Sequence, residues 1–261
     1  MSLSRIKAIL LQEFFIQKDL TVIMDLPFFS IVTVILFGFI STFLEKTANP
    51  LAAHYFLIGA LLWDVVRINQ YSTSVEPLWN IWSRNLCNMF IAPISLREYF
   101  LAQMVSGMIK AIAMLTVESL IVALVFNFNI LSLGILNLML LLINLLIFSW
   151  SFGMIILGII FRYGIRLQAI AWGLIALLQP LSAAFFPLSI LPKYLQTIAY
   201  LFPTTFIFEA ARANISNIST DWSLIGMATG ENIIYFIISV WFLNLMFNNS
   251  RRRGQFARNE Q

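Results

Sequence analysis

The chain has 261 residues, of which 60% are hydrophobic and 11% are charged. Soluble domains carry about 25% charged residues, so a lipid bilayer must be the solvent for much of this chain. The net charge of +4 comes from basic residues scattered between apolar segments, which argues against nucleic acid as a partner. Because the apolar runs are long and continuous, the sequence predicts an all-α integral membrane protein and excludes a β-barrel.

The first predicted element is an amphipathic helix over Ser4–Lys18, inside an interface segment of residues 1–20. Four apolar residues fall at helical spacing, namely Ile6, Ile9, Leu10 and Phe14. Polar and basic residues are available for the opposite side, so the helix is expected to lie along the membrane interface. A plain extension of the first span is the alternative, but Asp25 and Pro27 would interrupt it.

Six apolar segments come close to the length of about 20 residues that crosses a bilayer. They are Leu26–Leu44, Leu51–Thr73, Leu96–Phe126, Leu133–Phe161, Leu167–Phe186 and Leu224–Phe247. If the N-terminus is cytoplasmic, the cytoplasmic segments hold twelve of the sixteen Lys and Arg residues, the outer loops hold three, and Lys110 lies in a span. The excess of basic residues therefore predicts that both termini are cytoplasmic.

The loop after the second span, residues 76–95, is predicted to contain a short amphipathic helix from about Pro77 to Ile91. Proline suits the first turn of a helix, and Pro93 ends this one. Ser95 and Glu98 then form a capping box that begins the third span. The loop is therefore expected to hold a rigid helix braced against the membrane.

The two sides of this helix suggest different contacts. The apolar side holds Leu78, Trp79, Trp82, Leu86, Met89 and Phe90, and the polar side holds Asn80, Ser83, Arg84, Cys87 and Asn88. We expect Trp79 and Trp82 to anchor the helix to the bundle. We expect Asn80, Arg84 and Asn88 to face the cytosol. A helix that merely caps the loop is the alternative.

The outer segment after the fifth span, residues 185–214, is apolar but contains Pro187, Pro192 and Pro203. Two helices, too short to cross the membrane, are predicted after Pro192 and after Pro203. This pattern is typical of a re-entrant hairpin that dips into the outer leaflet. An aromatic cluster in it is a candidate exit for an amphipathic substrate, although packing within the hairpin is the more frequent cause of such clusters. The cluster consists of Phe185, Phe186, Tyr200, Phe202 and Phe206.

Ionisable residues inside membrane spans are costly and mark functional candidates. Here they include Asp64, Arg67, Lys110 and Glu118. Asp64 and Arg67 are three positions apart and therefore share a helical face. We expect Asp64 to pair with Arg67 or Lys110, as part of a structural cluster between packed helices. A charged lining of a transport path is the alternative.

Residue patterns for catalysis or for cofactor binding do not stand out. None of the five lysines follows a glycine, so the chain lacks a Walker A loop and cannot bind ATP by that route. The single histidine, His54, has no second His or Cys nearby in the sequence, which argues against a metal site and a hydrolytic triad. The sequence therefore predicts no catalytic, cofactor or metal residues.

Together these features resemble the ABC-2 type permeases, the membrane subunits of ATP-binding-cassette exporters. One similarity is the six-span plan with an N-terminal interface helix. A second is the region after span two, with Ser83-Arg84-Asn85-Leu86 and Ala92-Pro93-Ile94-Ser95, in which Asn85 replaces a leucine found in many members. The most specific is the outer hairpin, with Phe185-Phe186-Pro187-Leu188, Leu191-Pro192, Leu195-Gln196, Pro203-Thr204 and Glu209-Ala210-Ala211-Arg212. The resemblance covers nearly all of residues 1–261, as a single transmembrane domain.

The resemblance implies a permease subunit that moves an amphipathic drug-like or lipid substrate outward. ATP and Mg²⁺ would be bound by a separate nucleotide-binding subunit, and two permeases, identical or different, would form a dimer in the lipid membrane. The helix after span two would take up the motion of the ATPase. The expected location is the cytoplasmic membrane of a prokaryote or a plastid membrane. Alternatives are a polysaccharide or glycolipid exporter of the same family, a lipid-modifying membrane enzyme and a secondary transporter.

Overall fold

The computed structural model describes residues 2–17, 20–47, 49–83, 85, 89, 91–217 and 219–253. Within these residues the structure gives the bounds of ten α-helices. They are α1 Leu3–Gln17, α2 Leu20–Thr47, α3 Pro50–Ser74, α4 Glu76–Trp82, α5 Leu96–Phe126, α6 Ile135–Tyr163, α7 Ala169–Leu181, α8 Lys193–Ala199, α9 Pro203–Asn217 and α10 Trp222–Arg252. Short 3-10 turns follow α5, α6 and α7.

Local sequence signals fix several helix ends. The Asn49 side chain accepts a hydrogen bond from the Leu51 N–H, and this cap begins α3. The Ser95 hydroxyl accepts from the Glu98 N–H while the Glu98 carboxylate accepts from the Ser95 N–H, so the predicted capping box of α5 is confirmed. Asn127, in the left-handed conformation with φ of 54°, ends α5.

Five helical segments in the described part of the chain are long and apolar enough to cross a membrane. They are Pro27–Thr47, Pro50–Trp82, Leu96–Phe126, Ile135–Tyr163 and Trp222–Arg252. They overlap five of the six predicted spans. The second of them is longer than predicted because α4 continues α3 after a single residue, Val75.

The remaining predicted span, Leu167–Phe186, holds a shorter helix than expected. α7 has 13 residues and a length of about 20 Å, whereas the hydrocarbon core is about 30 Å thick. It nevertheless follows α3 for much of its length. Gln168, just before α7, accepts a hydrogen bond from Trp82, and Ala184, just after it, lies against Gly59. The six-span arrangement therefore stays a prediction.

The helices are arranged around α3 and α6, whose apolar segments are mostly buried, whereas those of α2, α5 and α10 are mostly exposed. Glycines allow close approach to α3 on three sides. A Cβ at Gly107 of α5 would meet Ser72, one at Gly153 of α6 would overlap Thr73, and one at Gly59 would overlap the carbonyl oxygen of Ala184. Small residues at such contacts are what packing between membrane helices requires.

Several helix ends meet at one end of the bundle, which we call the α1 end. The Ser2 N–H, just before α1, donates to Glu98 in the first turn of α5 at 2.7 Å. The Ser250 hydroxyl near the end of α10 donates to the Phe161 carbonyl near the end of α6 at 2.6 Å. Arg97 and Arg251 line one groove, so α5 begins where α10 ends. Both ends of the described chain therefore lie at the same end of the bundle.

Replacing Gly59 with alanine is expected to destabilise the fold by about 1–3 kcal/mol, because the added Cβ has no space against the Ala184 backbone. Thermal unfolding in detergent would measure this as a lower Tm. Gly226→Ala in α10 is the matched control, because no atom lies within 4 Å of the added Cβ there. Equal Tm values for the two variants would contradict the proposed close contact.

Candidate functional site

The chain leaves α7 through a turn at Ala183 that one buried arginine holds in place. Ala183 has a φ of 51°, which is unusual for a residue with a side chain. Arg212 of α9 is 5% exposed, and its Nη1 donates to the Ala183 carbonyl oxygen at 2.8 Å. The guanidinium thus satisfies a backbone carbonyl that has left the helix, and it fixes the turn against α9.

Glu209 provides the second connection. Its Oε1 accepts from the Leu188 N–H at 2.7 Å and from Arg212 Nη2 at 2.9 Å. One carboxylate therefore joins the 3-10 turn Leu188–Ile190 to the arginine that holds the preceding turn. At the far end of α9, the hydroxyls of Tyr55 and Ser216 lie 2.6 Å apart and join α9 to α3.

Two further side chains of the hairpin donate to backbone carbonyls at the two ends of α8, of which the Ala199 carbonyl also accepts from the Phe202 N–H. Gln196 Nε2 donates to the Leu191 carbonyl at 2.7 Å, and Thr205 Oγ1 donates to the Ala199 carbonyl at 2.7 Å. Membrane depth offers no water for such groups, so internal partners are required there. The structure is therefore compatible with the predicted re-entrant position of the hairpin, which stays a prediction.

A groove of about 370 Å³ lies beside the hairpin. Its lining consists of Pro187, Leu188, Ser189, Gln196, Tyr200, Thr205, Phe206, Glu209 and Leu224. Two of the five predicted exit aromatics, Tyr200 and Phe206, line it, with their ring centroids 5.7 Å apart. The groove combines aromatic surface with amide, hydroxyl and carboxylate groups, which suits an amphipathic molecule.

The other three predicted exit aromatics pack within the protein. The Phe185 ring lies 5.0 Å from Phe37 of α2 and 5.2 Å from Phe56 of α3. Phe186 packs on the cluster of Ala183, Leu188 and Ala199, and Phe202 packs on the main core. The structure therefore does not bring the five aromatics together in one surface, because proline turns point them to different neighbours.

At the α1 end, buried polar contacts join both short helices to α5. Gln103 of α5 donates to Glu13 of α1 at 2.9 Å, and both side chains are buried. Asn80 of α4 donates to the Tyr99 hydroxyl of α5 at 3.2 Å. Ile9 of α1 packs beside Tyr99 in the same cluster. α1 and α4 are therefore both attached to α5.

The predicted orientation of α4 is wrong at two positions. Asn80, expected to face the cytosol, is 4% exposed, whereas Trp79, expected to face the bundle, is 47% exposed. The reason is that α4 continues α3 through Val75 and does not lie as a separate helix on the membrane surface. The packing of α3 against α5 therefore decides which side of α4 is buried.

Trp82 anchors α4 as expected. Its Nε1 donates to Gln168 at 3.2 Å, and its ring stacks on Trp172 of α7 with centroids 6.2 Å apart. Of the other predicted coupling residues, Arg84 and Asn88 lie outside the described residues. α4 is thus attached both to α5 and to the start of α7.

The expected pairing of Asp64 is confirmed for Arg67, whose Nε lies 2.5 Å from Asp64 Oδ1. Ser30 of α2 completes a ring, since it donates to Asp64 at 2.6 Å and accepts from Arg67 at 2.7 Å. Lys110 pairs instead with Glu76 at the start of α4. Glu118 is fully buried and lies beside Asp64 and Ser30.

The sequence model of one family, described as ABC-2 type transporter, matches residues 15–216. The chain belongs to this ABC-2 transporter family. The match runs from the end of α1 through the hairpin and α9, so it includes the turn held by Arg212 and the contacts of α4 with α5. No curated protein matches the chain significantly.

Membership of the ABC-2 family makes the chain the membrane-spanning transport component of an ABC transporter. It also implies association with an ABC ATPase subunit and an integral membrane location. Within this family assignment, the two ends of the bundle offer different chemistry. The α1 end couples short helices to α5, and the hairpin end carries a groove with aromatic and polar walls.

Sequence reasoning missed several residues that build these sites, among them Gly59, Ala183 and Glu13. Gly59 and Ala183 act through backbone geometry, for which the sequence gives no signal. Glu13 did give one, because it lies four positions after Ile9 and therefore on the same buried side of α1. A carboxylate on the apolar side of an amphipathic helix indicates a polar partner in the surface that the helix covers.

Arg212→Lys is expected to loosen the hairpin, because one ammonium group cannot reproduce the fork that reaches both Ala183 and Glu209. Leaving the buried Ala183 carbonyl unpaired costs about 1–3 kcal/mol. Hydrogen–deuterium exchange should rise over residues 183–190 and leave α5 unchanged. Arg252→Lys, an exposed exchange of the same kind, is the control. Unchanged protection in the Arg212 variant would contradict the role of the fork.

The docking of α1 should depend on pH through Glu13. Burial raises the pKa of the Glu13 carboxyl from 4.5 to about 7, nearby Glu76 adds to this, and Gln103 and Lys110 act in the opposite direction. Because the docked state holds the proton more tightly, docking is strongest below about pH 4.5 and weakens as pH rises towards 7. The change amounts to a few kcal/mol at most.

Limited proteolysis of the α1 segment across this pH range would measure the effect. Glu13→Gln keeps a hydrogen-bonding side chain without the charge, so its proteolysis should be independent of pH. A wild-type α1 that is cut equally at all pH values would show that Glu13 does not control docking.

Proposed function

We propose that this ABC-2 family chain is the permease of an exporter, which moves an amphipathic drug-like or lipid substrate outward with ATP hydrolysed by a separate subunit. The observation that carries the proposal is the joint attachment of α1 and α4 to α5, through Gln103 and Tyr99. α5 is 31 residues long. A force applied to either short helix would therefore tilt a helix long enough to cross the membrane.

α4 is the proposed coupling element, with a contact surface that differs from the one the sequence indicates. The exposed ring of Trp79 would meet the ATPase subunit, while Trp82 holds α4 to α7 and Asn80 passes the displacement to Tyr99. Arg84 and Asn88 remain proposed contacts of the same partner. Aromatic side chains of this kind supply much of the binding energy in protein interfaces.

The hairpin groove is the proposed exit. Its aromatic wall, Tyr200 and Phe206, would contact the apolar part of a substrate, and Gln196 and Glu209 would contact the polar part. We further propose the six-span topology with cytoplasmic termini, two permease copies per transporter, and a cytoplasmic or plastid membrane. ATP and Mg²⁺ would bind to the partner subunit alone.

The test compares two exposed tryptophans at opposite ends of the bundle. Trp79→Ala should weaken assembly with the ATPase subunit by a factor of about 30, as expected for an interface anchor worth about 2 kcal/mol. Trp222→Ala, which removes a ring 63% exposed at the hairpin end, should assemble normally. Binding is measured on purified subunits, and substrate-stimulated ATPase activity on the reconstituted complex.

The permease alone should hydrolyse no ATP, and activity should appear when the partner is added. ATP hydrolysis by the isolated chain would contradict the proposal. So would normal assembly and coupled transport by Trp79→Ala. Stimulation of the complex by polysaccharide fragments, and not by amphipathic compounds, would favour the related class of sugar exporters.

A further inference from the structure

A groove of about 430 Å³ opens at the α1 end between the first turn of α5 and the last turns of α10. Its lining consists of Ile94, Ser95, Leu96, Arg97, Asn244, Phe247, Asn248 and Arg251. The hairpin groove, in contrast, is lined by Leu224 at the start of α10, so the two grooves lie at opposite ends of that helix. Neither the coupling contacts of α4 nor the paired charges at Asp64 use these residues.

The charges around the groove are unbalanced. Arg97 and Arg251 both line it, and neither guanidinium forms an ion pair with a described residue. The acidic residue next in sequence, Glu98, is engaged by Ser95, Ser2 and Arg5. Two guanidinium groups thus share a cavity whose described lining contains no carboxylate.

Arg97 also occupies an unfavourable position relative to the dipole of its own helix. It lies in the first turn of α5, where the helix dipole is positive and favours anions over cations. Arg251, in the last turn of α10, is favourably placed for its own helix but adds a second positive charge. An anion between the two guanidinium groups would relieve both the mutual repulsion and the unfavourable position of Arg97.

The remaining lining residues indicate which chemical groups the bound molecule carries besides its anionic group. Leu96, Phe247 and Ile94 give the groove an apolar wall, and Asn244 and Asn248 add amide groups to its lining. A free phosphate ion would gain nothing from the apolar wall. A molecule with an anionic head group and hydrocarbon chains would use both parts, and it is present wherever the end of a membrane span meets the bilayer surface.

We propose that this groove is a binding site for an anionic phospholipid, with the phosphate held between Arg97 and Arg251 and the glycerol and first acyl carbons against Phe247 and Leu96. Arginine suits this role because its planar fork can bind phosphate through two N–H groups. The lipid would tie the start of α5 to the end of α10 and so fix the helix that receives the motion of α1 and α4.

The experiment uses the purified full-length chain in detergent with phosphatidylglycerol, phosphatidylcholine or inorganic phosphate. Native mass spectrometry counts retained lipid, and the shift in Tm on lipid addition measures its effect. We expect wild type to retain phosphatidylglycerol over phosphatidylcholine and to show a rise in Tm that inorganic phosphate does not reproduce. The double variant R97Q/R251Q should lose about ten-fold or more in phosphatidylglycerol affinity.

The control R252Q/R253Q removes the same charge from neighbouring exposed positions that do not line the groove, and it should bind as wild type does. If both double variants lost phosphatidylglycerol affinity equally, the effect would come from general surface charge, and the proposal would be overturned. Equal stabilisation by inorganic phosphate would overturn it too. Unchanged lipid retention in R97Q/R251Q, with lost ATPase assembly, would make the groove a protein-docking surface and also overturn it.

Discussion

Backbone groups that leave a helix at membrane depth must find partners inside the protein, because lipid tails offer none. The hairpin, which is predicted to be re-entrant, pairs such groups with side chains from its own sequence. Arg212 serves the Ala183 carbonyl, and Glu209 serves the Leu188 N–H. With these two bonds in place, α8 and α9 can return toward the bundle and leave a groove between them. The close approach at Gly59 then places the turn against α3, so the shape of the hairpin end follows from a few satisfied backbone groups.

α5 carries several of the polar contacts that hold the described helices together. Near its start, Gln103 contacts α1 and Tyr99 contacts α4. Further along α5, Lys110 pairs with Glu76 of α4. Deeper still, Glu118 lies beside the ring of Asp64, Arg67 and Ser30. These polar groups face α3 and the short helices, whereas much of the remaining α5 surface is apolar and exposed. One side of α5 is thus held to its neighbours by polar contacts, and the opposite side is apolar.

The sequence predicts features that depend on nearby residues and fails where packing between distant helices decides. The capping box at Ser95 and the pairing of Asp64 with Arg67 are local patterns, and both are confirmed. The orientation of α4 is not local, because it follows from the continuation of α3 and from the position of Tyr99. The aromatic exit was predicted from composition alone, and only Tyr200 and Phe206 of its five rings line the groove, since turn geometry distributes the others.

The contact between Tyr55 and Ser216 joins positions that are 161 residues apart. At synthesis rates of about 5–20 residues per second, α3 waits roughly 10–30 s for α9 to leave the ribosome. During that interval the α3 surface at Gly59 and the hydroxyl of Tyr55 are exposed to lipid or to other proteins. Nascent chains at this stage expose a recognisable surface, so insertion factors and membrane proteases have a defined period in which to bind it. A chain whose hairpin fails to fold would keep that surface exposed.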